Sequence, residues 1–177
     1  HREYVVDTLV RVFQRYGFEP LTTPAIEYLE TLTRKYGEEG EKLIYRLAYK
    51  GGDVLALRYD LTIPLCRVFA MHSGSIIKPF KRYQIQPVWR ADKPQKGRLR
   101  EFYQCDVDVI GSADMLVDAE IISVIHDCMT ALGFHGFNIR INSRKVLNAI
   151  LEYAGIPDSA GPEVLRPLED PDDDVAE

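Results

Sequence analysis

Five bases, Arg90, Lys93, Lys96, Arg98 and Arg100, fall within eleven residues of the stretch WRADKPQKGRLREFYQCDVDVIG, with Asp92 the only acid among them. A guanidinium fork matches the planar geometry of a phosphate or a carboxylate. Directly afterwards Phe102, Gln104, Asp106 and Asp108 recur at every second position. Side chains alternate faces along a strand, so these four share one face and Tyr103, Cys105, Val107 and Val109 share the other. Carboxylates suit an ammonium or imidazole group. A basic loop opening onto a carboxylate-bearing face therefore suits a ligand pair of both charge signs, an amino acid beside a nucleotide. LRYDLT adds Arg58, Asp60 and Thr62 at alternate positions. A polar face that simply meets water would also account for the strand pattern. Helix capping by Thr62, with Asp60 near the helix dipole, would account for the third element.

These residues need elements to hold them. Residues 81–90 and 100–110 read as a long hairpin, with Pro94 and Gly97 in its connection. YRLAYK and VLALRYD, flanking Gly51-Gly52-Asp53, read as a shorter one. Val5, Leu9, Val12, Phe13 and Tyr16 have helical spacing, ended by Gly17. An extended stretch, 18–23, leads to Pro24, and a polar, partly helical segment covers 28–36. Thr62, with Pro64 in the first turn, starts a helix. Ser112 is expected to cap another that runs to Leu132 and carries Leu116, Ala119, Val124 and Cys128. FNIRIN alternates as a strand, and Ser143 caps a last helix bearing Val146, Leu147, Ile150 and Leu151. Hairpins mixed with helices predict an α+β fold with a mainly antiparallel sheet.

Composition bounds the rest. Three scattered cysteines, none in a CxxC pair, favour reduced thiols in a cytoplasmic protein. The histidines lack zinc spacing. No apolar run approaches the ~18 residues of a membrane helix, and HREYVVDTLV does not read as a signal peptide. Residues 158–177 hold eight acids and one base, a net −7; with a chain total of −5, residues 1–157 carry +2. That proline-rich end reads as a linker or disordered tail, and the folded part as 1–157.

The joint pattern resembles the class II aminoacyl-tRNA synthetases, in the form of the histidyl-tRNA synthetase family. WRADKPQKGRLREFYQCDVDVIG looks like motif 2 and YGFEPLTTPAIEYLE like motif 1 with its proline at Pro24. LRYDLTIPLCR is similar to the segment that helps hold histidine, and FNIRINSRKVL to a later strand-to-helix passage. The resemblance implies ATP and L-histidine as substrates, Mg²⁺ with the ATP, and tRNA(His) as acceptor. It implies that Arg90 grips the α-phosphate and the histidine carboxylate. Asp92 stands where the general pattern has a longer Glu near adenine. Arg98 and Arg100 belong to the loop over the phosphates, and Phe102 stacks on adenine. Gln104 and Asp108 face histidine, while Asp60 and Thr62 hold its amino group. Asp106 has no role in this scheme. Motif 1 implies a homodimer with Gly17, Phe18 and Pro24 at its interface.

A second histidine arginine motif, motif 3 and an anticodon-binding domain do not occur in the sequence. The resemblance thus implies the N-terminal part of a catalytic domain, an incomplete fold expected to be inactive alone. The regulatory subunit of ATP phosphoribosyltransferase, a non-catalytic histidine sensor of the same fold, is the alternative. A synthetase-like module that senses uncharged tRNA is a more distant one.

Overall fold

The computed structural model describes residues 1–33, 43–48, 50–93, 95–157, 160–161 and 164–165. Residues 34–36 of the expected polar helix, Pro94 and most of the expected tail lie outside that set. The chain divides into two compact units, 1–135 and 136–177. The sequence reading drew one folded part to 157 and placed no division at 135. Within the expected tail, Leu165 is buried against Leu147 and Leu151 of the second unit.

The first unit begins with α1 (Arg2–Arg15), whose Val12 and Phe13 are buried and whose end is turned by Gly17 at φ +76°. Short strands β1 (Glu19–Pro20) and β2 (Ile26–Tyr28) follow, then α2 (Leu29–Thr33). Strands β3 (Arg46–Leu47) and β4 (Leu55–Leu57) form the expected short hairpin, with Leu47 opposite Leu55 and Gly52 in the turn at φ +84°. Helix α3 (Thr62–His72) precedes β5 (Phe80–Trp89) and β6 (Glu101–Ile110), and α4 (Met115–Ala131) closes the unit. Among the described residues two three-stranded sheets result, ordered β1-β5-β6 and β2-β4-β3, and every pairing is antiparallel except β1 with β5. The α+β expectation thus holds, with the antiparallel strands shared between two sheets.

The apolar sides explain this arrangement. Val12, Phe13, Phe18, Tyr83, Val124 and Cys128 form one core, joined by Val107 and Val109, so α1 and α4 cover one face of the β5–β6 ribbon. The Phe13 and Tyr83 rings lie 5.4 Å apart, within the range of favourable aromatic pairs. Leu32, Ile44, Ala56, Tyr59 and Ile63 form a second core on the other sheet. The segment before α3 hydrogen-bonds to the long hairpin and covers part of its polar face.

Three local expectations are corrected. The side chain that caps α3 is Asp60, whose Oδ1 accepts the Ile63 N–H at 3.2 Å; Thr62 is already the first helical residue. The cap of α4 is Asp114, which accepts the Leu116 N–H at 2.9 Å, while Ser112 accepts the Asp114 N–H one step earlier. Both Ser and Asp are good caps, and the backbone path alone decides which one is used. Leu116 is accordingly outside the core, 74% exposed.

In the second unit, 137–142 forms no strand. A strand is completed by a neighbour's ladder bonds, and among the described residues no strand pairs with this segment. Helix α5 (Arg144–Tyr153) follows, flanked by Ser143 without a side-chain cap bond. It buries Leu147 and Leu151 but leaves Val146 and Ile150 exposed.

Candidate ligand-binding face

The register of the long hairpin defines the face. Arg82 stands opposite Asp108, Gln84 opposite Asp106, Gln86 opposite Gln104 and Val88 opposite Phe102. Directly opposed residues point the same way, so the polar residues of both strands form one surface. Parity assigned Phe102, Gln104, Asp106 and Asp108 to that surface, and each is half-buried. The outer part of the opposite face is more open: Tyr103 and Cys105 are exposed, with Arg2 lying 4.7 Å from the Tyr103 ring centre.

The segment before α3 is laced onto this face. The Trp89 N–H donates to the Arg58 carbonyl at 3.1 Å. Arg90 Nε donates to the Tyr59 carbonyl at 3.1 Å and Arg82 Nη2 to the Leu61 carbonyl at 3.3 Å. Two arginines thus flank Asp60, which is itself buried, and bring it toward Arg82 and Asp106. Thr62 is half-buried one residue further on.

At the outer end, the Arg90 guanidinium lies 5.0 Å from the centre of the Phe102 ring, within cation–π range. The Arg90 N–H donates to the Arg100 carbonyl at 2.9 Å, which extends the ribbon by one pair. The connection closes on a Gln95–Arg98 bridge with Gly97 at φ +85°. Asp92 is half-buried, and its carbonyl accepts from Arg100 Nε at 3.2 Å. Arg98, Arg100, Lys93 and Lys96 are exposed. The basic loop therefore ends a face whose deep part is acidic.

Sequence reasoning singled out Arg58 but not Arg82, and missed that both are buried. Arg82 is 0% exposed; its Nη2 sits 2.8 Å from Asp108 Oδ2, and its Nη1 donates to Gln84 Oε1 at 3.2 Å. From there Gln84 Nε2 donates to Thr23 Oγ1 at 2.8 Å and to Gln86 Oε1 at 2.5 Å. Arg58, 1% exposed, completes the network. It donates from Nη1 to the Thr23 carbonyl at 2.6 Å and the Pro24 carbonyl at 3.1 Å, and from Nη2 to the Pro87 carbonyl at 2.9 Å. Arg58 therefore faces the motif 1 segment and not a ligand. The signal for Arg82 was the hairpin register, which places it opposite Asp108.

Burial sets the electrostatics. It pushes the Arg82 guanidinium below its ordinary range, opposed by Asp108, Asp106, Cys66 and Asp60. It pushes the Asp106 carboxyl up; Arg82 and Arg90 oppose this, and Asp108 and Asp60 reinforce it. A raised carboxyl is ionised first in the unfolded chain, so Asp106 costs stability as pH climbs from about 4 through its folded value. Asp106→Asn lacks that cost. Urea denaturation at pH 3.5 and pH 7 is expected to show the variant gaining on the native chain as pH rises. A gap that moves the other way would mean that Arg82 outweighs burial.

Among the described residues, three buried polar atoms lack a hydrogen-bond partner: Arg82 Nε, Gln104 Oε1 and Asp108 Oδ2. The last is in charge contact with Arg82 but is not aligned for a hydrogen bond. Buried acceptors without donors are costly and mark a place where a donor can bind. Gln104 and Asp108, two residues of the sequence-derived set, thus carry buried, unmatched acceptors on the same strand face.

The expected interface residues divide. Gly17 and Pro24 are exposed, whereas Phe18 is 2% exposed within its own core and offers no surface to a partner.

A family model for histidyl-tRNA synthetase matches residues 1–174. The chain belongs to the histidyl-tRNA synthetase family. It is 48% identical to the histidine–tRNA ligase of Gloeobacter violaceus, covering 95% of this chain and 41% of that protein. The chain therefore spans about two fifths of the length of such a relative. The histidyl-tRNA synthetase structure from Nostoc sp. PCC 7120 superposes with a TM-score of 0.78 at 37% identity, over 89% of this chain and 37% of that one. A Bacillus halodurans structure, described as an ATP phosphoribosyltransferase regulatory subunit/histidyl-tRNA synthetase, gives 0.82 at 23% identity over 96% and 44%. That likeness shows the shared class II synthetase fold alone.

Proposed function

We propose that this chain is the part of a histidine–tRNA ligase that seats histidine beside the α-phosphate of ATP. The observation that carries the reading is the β5–β6 face, where Gln104 and Asp108 carry unmatched acceptors in the deep part and Arg90 stands at the entrance. Relatives named as histidine–tRNA ligases support this over the regulatory-subunit alternative. Histidine would place its imidazole toward Gln104 and Asp108 and its ammonium toward Asp60 and Thr62. ATP would stack its adenine on Phe102, near Asp92, with Arg98 and Arg100 over the phosphates.

The chemistry then needs no side-chain nucleophile. The histidine carboxylate attacks the α-phosphorus, histidyl-adenylate forms, and pyrophosphate leaves. The terminal hydroxyl of tRNA(His) next takes the histidyl group and releases AMP. The protein's part is to align two anions and offset the charge that grows between them. Arg90 suits this because a guanidinium stays charged and can bridge both. Among the described residues no group of three or more His, Cys, Asp or Glu could hold a metal. Mg²⁺ would accompany the ATP and help neutralise its phosphates.

A homodimer meeting through the exposed Gly17 and Pro24 completes the proposal. Among the described residues no helix is long and apolar enough to cross a membrane. The unpaired cysteines support a cytoplasmic setting. Histidine-dependent ATP–pyrophosphate exchange tests the reading in a polypeptide that joins this chain to the remaining length of a ligase. Exchange that requires histidine is expected; none from a folded polypeptide would refute it.

A further inference from the structure

Arg82 reaches no ligand, yet it sits under the acidic end of the face. Asp60, Asp106 and Asp108 converge there from two elements, the segment before α3 and strand β6. Burial and the fields of Asp108 and Asp60 push the Asp106 carboxyl up, and Arg82 opposes them. The fully buried guanidinium answers them from below. It is fixed on one side by Gln84 Oε1 and on the other by the Leu61 carbonyl, so its direction is set before any ligand arrives. Its Nη2 lies 2.8 Å from the buried Oδ2 of Asp108, whose side chain is 31% exposed, so the other carboxylate oxygen is left for a donor.

We propose that Arg82 is a positioning residue for the amino-acid substrate: it fixes the Asp108 carboxylate in place on the ligand face. The proposal rests on the histidine reading above and extends it to a side chain that touches no substrate. Its effect is confined to one ligand. The ATP groups, Arg90, Phe102 and the exposed loop, stand at the far end of the ribbon, where Val88 and not Arg82 faces Phe102.

The test must separate positioning from mere support of the fold. Removing one partner of a buried charge cluster leaves the rest uncompensated and destabilises, so Arg82→Met alone is expected to be poorly folded. Combining it with Asp106→Asn removes one surplus acid and is expected to recover stability. Arg82→Lys keeps the charge and loses the fork.

In the completed polypeptide, titration calorimetry with L-histidine should show the double variant R82M/D106N binding roughly 10- to 100-fold more weakly, the size of one lost charge-assisted interaction. ATP affinity should stay within about twofold, D106N alone should keep most of the histidine affinity, and R82K should fall between. A folded double variant with unchanged histidine affinity would overturn the proposal, as would parallel losses for histidine and ATP. Absence of histidine binding by the unaltered polypeptide would overturn the functional reading and this proposal together.

Discussion

Replacing Arg90 with alanine is expected to lower histidine-dependent pyrophosphate exchange by on the order of a thousandfold or more, with the fold intact. Removal of one preorganised charge stabiliser of a transition state costs ~10²–10³ in rate. Arg90 is proposed to serve two anions at once, so the loss should reach or exceed the upper figure. The structural cost is small by comparison. Arg90 is half-buried; it gives up one bond to the Tyr59 carbonyl and one contact with the Phe102 ring. Together these are worth about 1–2 kcal/mol at a partly exposed site. The measurement is exchange rate beside a urea midpoint. A variant that keeps its activity would remove Arg90 from the site, and a variant that unfolds would make it a structural residue.

Arg58→Met should show the reverse balance, a large loss of stability from a residue that meets no ligand. Its guanidinium donates to the carbonyls of Thr23, Pro24 and Pro87 and to Thr23 Oγ1 and Gln86 Oε1, at 1% exposure. Methionine fills much of the volume but takes the guanidinium donors from the three carbonyls, while Gln84 Nε2 still serves Thr23 Oγ1 and Gln86 Oε1. Each unsatisfied buried group costs about 1–3 kcal/mol. With partial relaxation, a total of about 3–5 kcal/mol is expected, a large share of the ~5–15 kcal/mol that holds a domain together. Exposed Arg100→Met should shift stability by no more than ~0.5 kcal/mol. A small shift at Arg58 would mean that the segment around Pro24 is held by something else.

These two arginines show how far the sequence could be read. Strand parity alone placed Gln104, Asp106 and Asp108 on one face, because alternation is a local property of the backbone. It could not tell that the segment at 58–61 would cover part of that face. Arginine on a polar strand face reads as solvated, and only long-range packing turns Arg58 and Arg82 into buried cations. Asp60 and Thr62 were both recognised, but their capping roles were exchanged. Both residue types can cap, and the φ and ψ angles at the turn made the choice. FNIRIN kept its alternation without a ladder, because pattern supplies a strand's faces and a neighbour supplies its bonds. Phe18 was placed at an interface by resemblance, but its side chain fills the core beside Phe13 and Tyr83.

The role left open for Asp106 also becomes concrete. It stands opposite Gln84 and shares the field of Arg82 with Asp108 and Asp60. Arg82 offsets the field of these acids and fixes Asp108, so Asp106 needs no contact with the ligand. The acid-rich strand and the buried arginine are therefore one arrangement, and the basic loop serves the other ligand.

The central claim is that one ribbon face holds histidine and ATP side by side. A crystal structure of the completed polypeptide with L-histidine and a non-hydrolysable ATP analogue tests it most directly. The account predicts the imidazole within hydrogen-bond reach of Gln104 and Asp108, and the α-phosphate within reach of the Arg90 guanidinium. Histidine bound away from β6, or an α-phosphate that Arg90 does not touch, would contradict it.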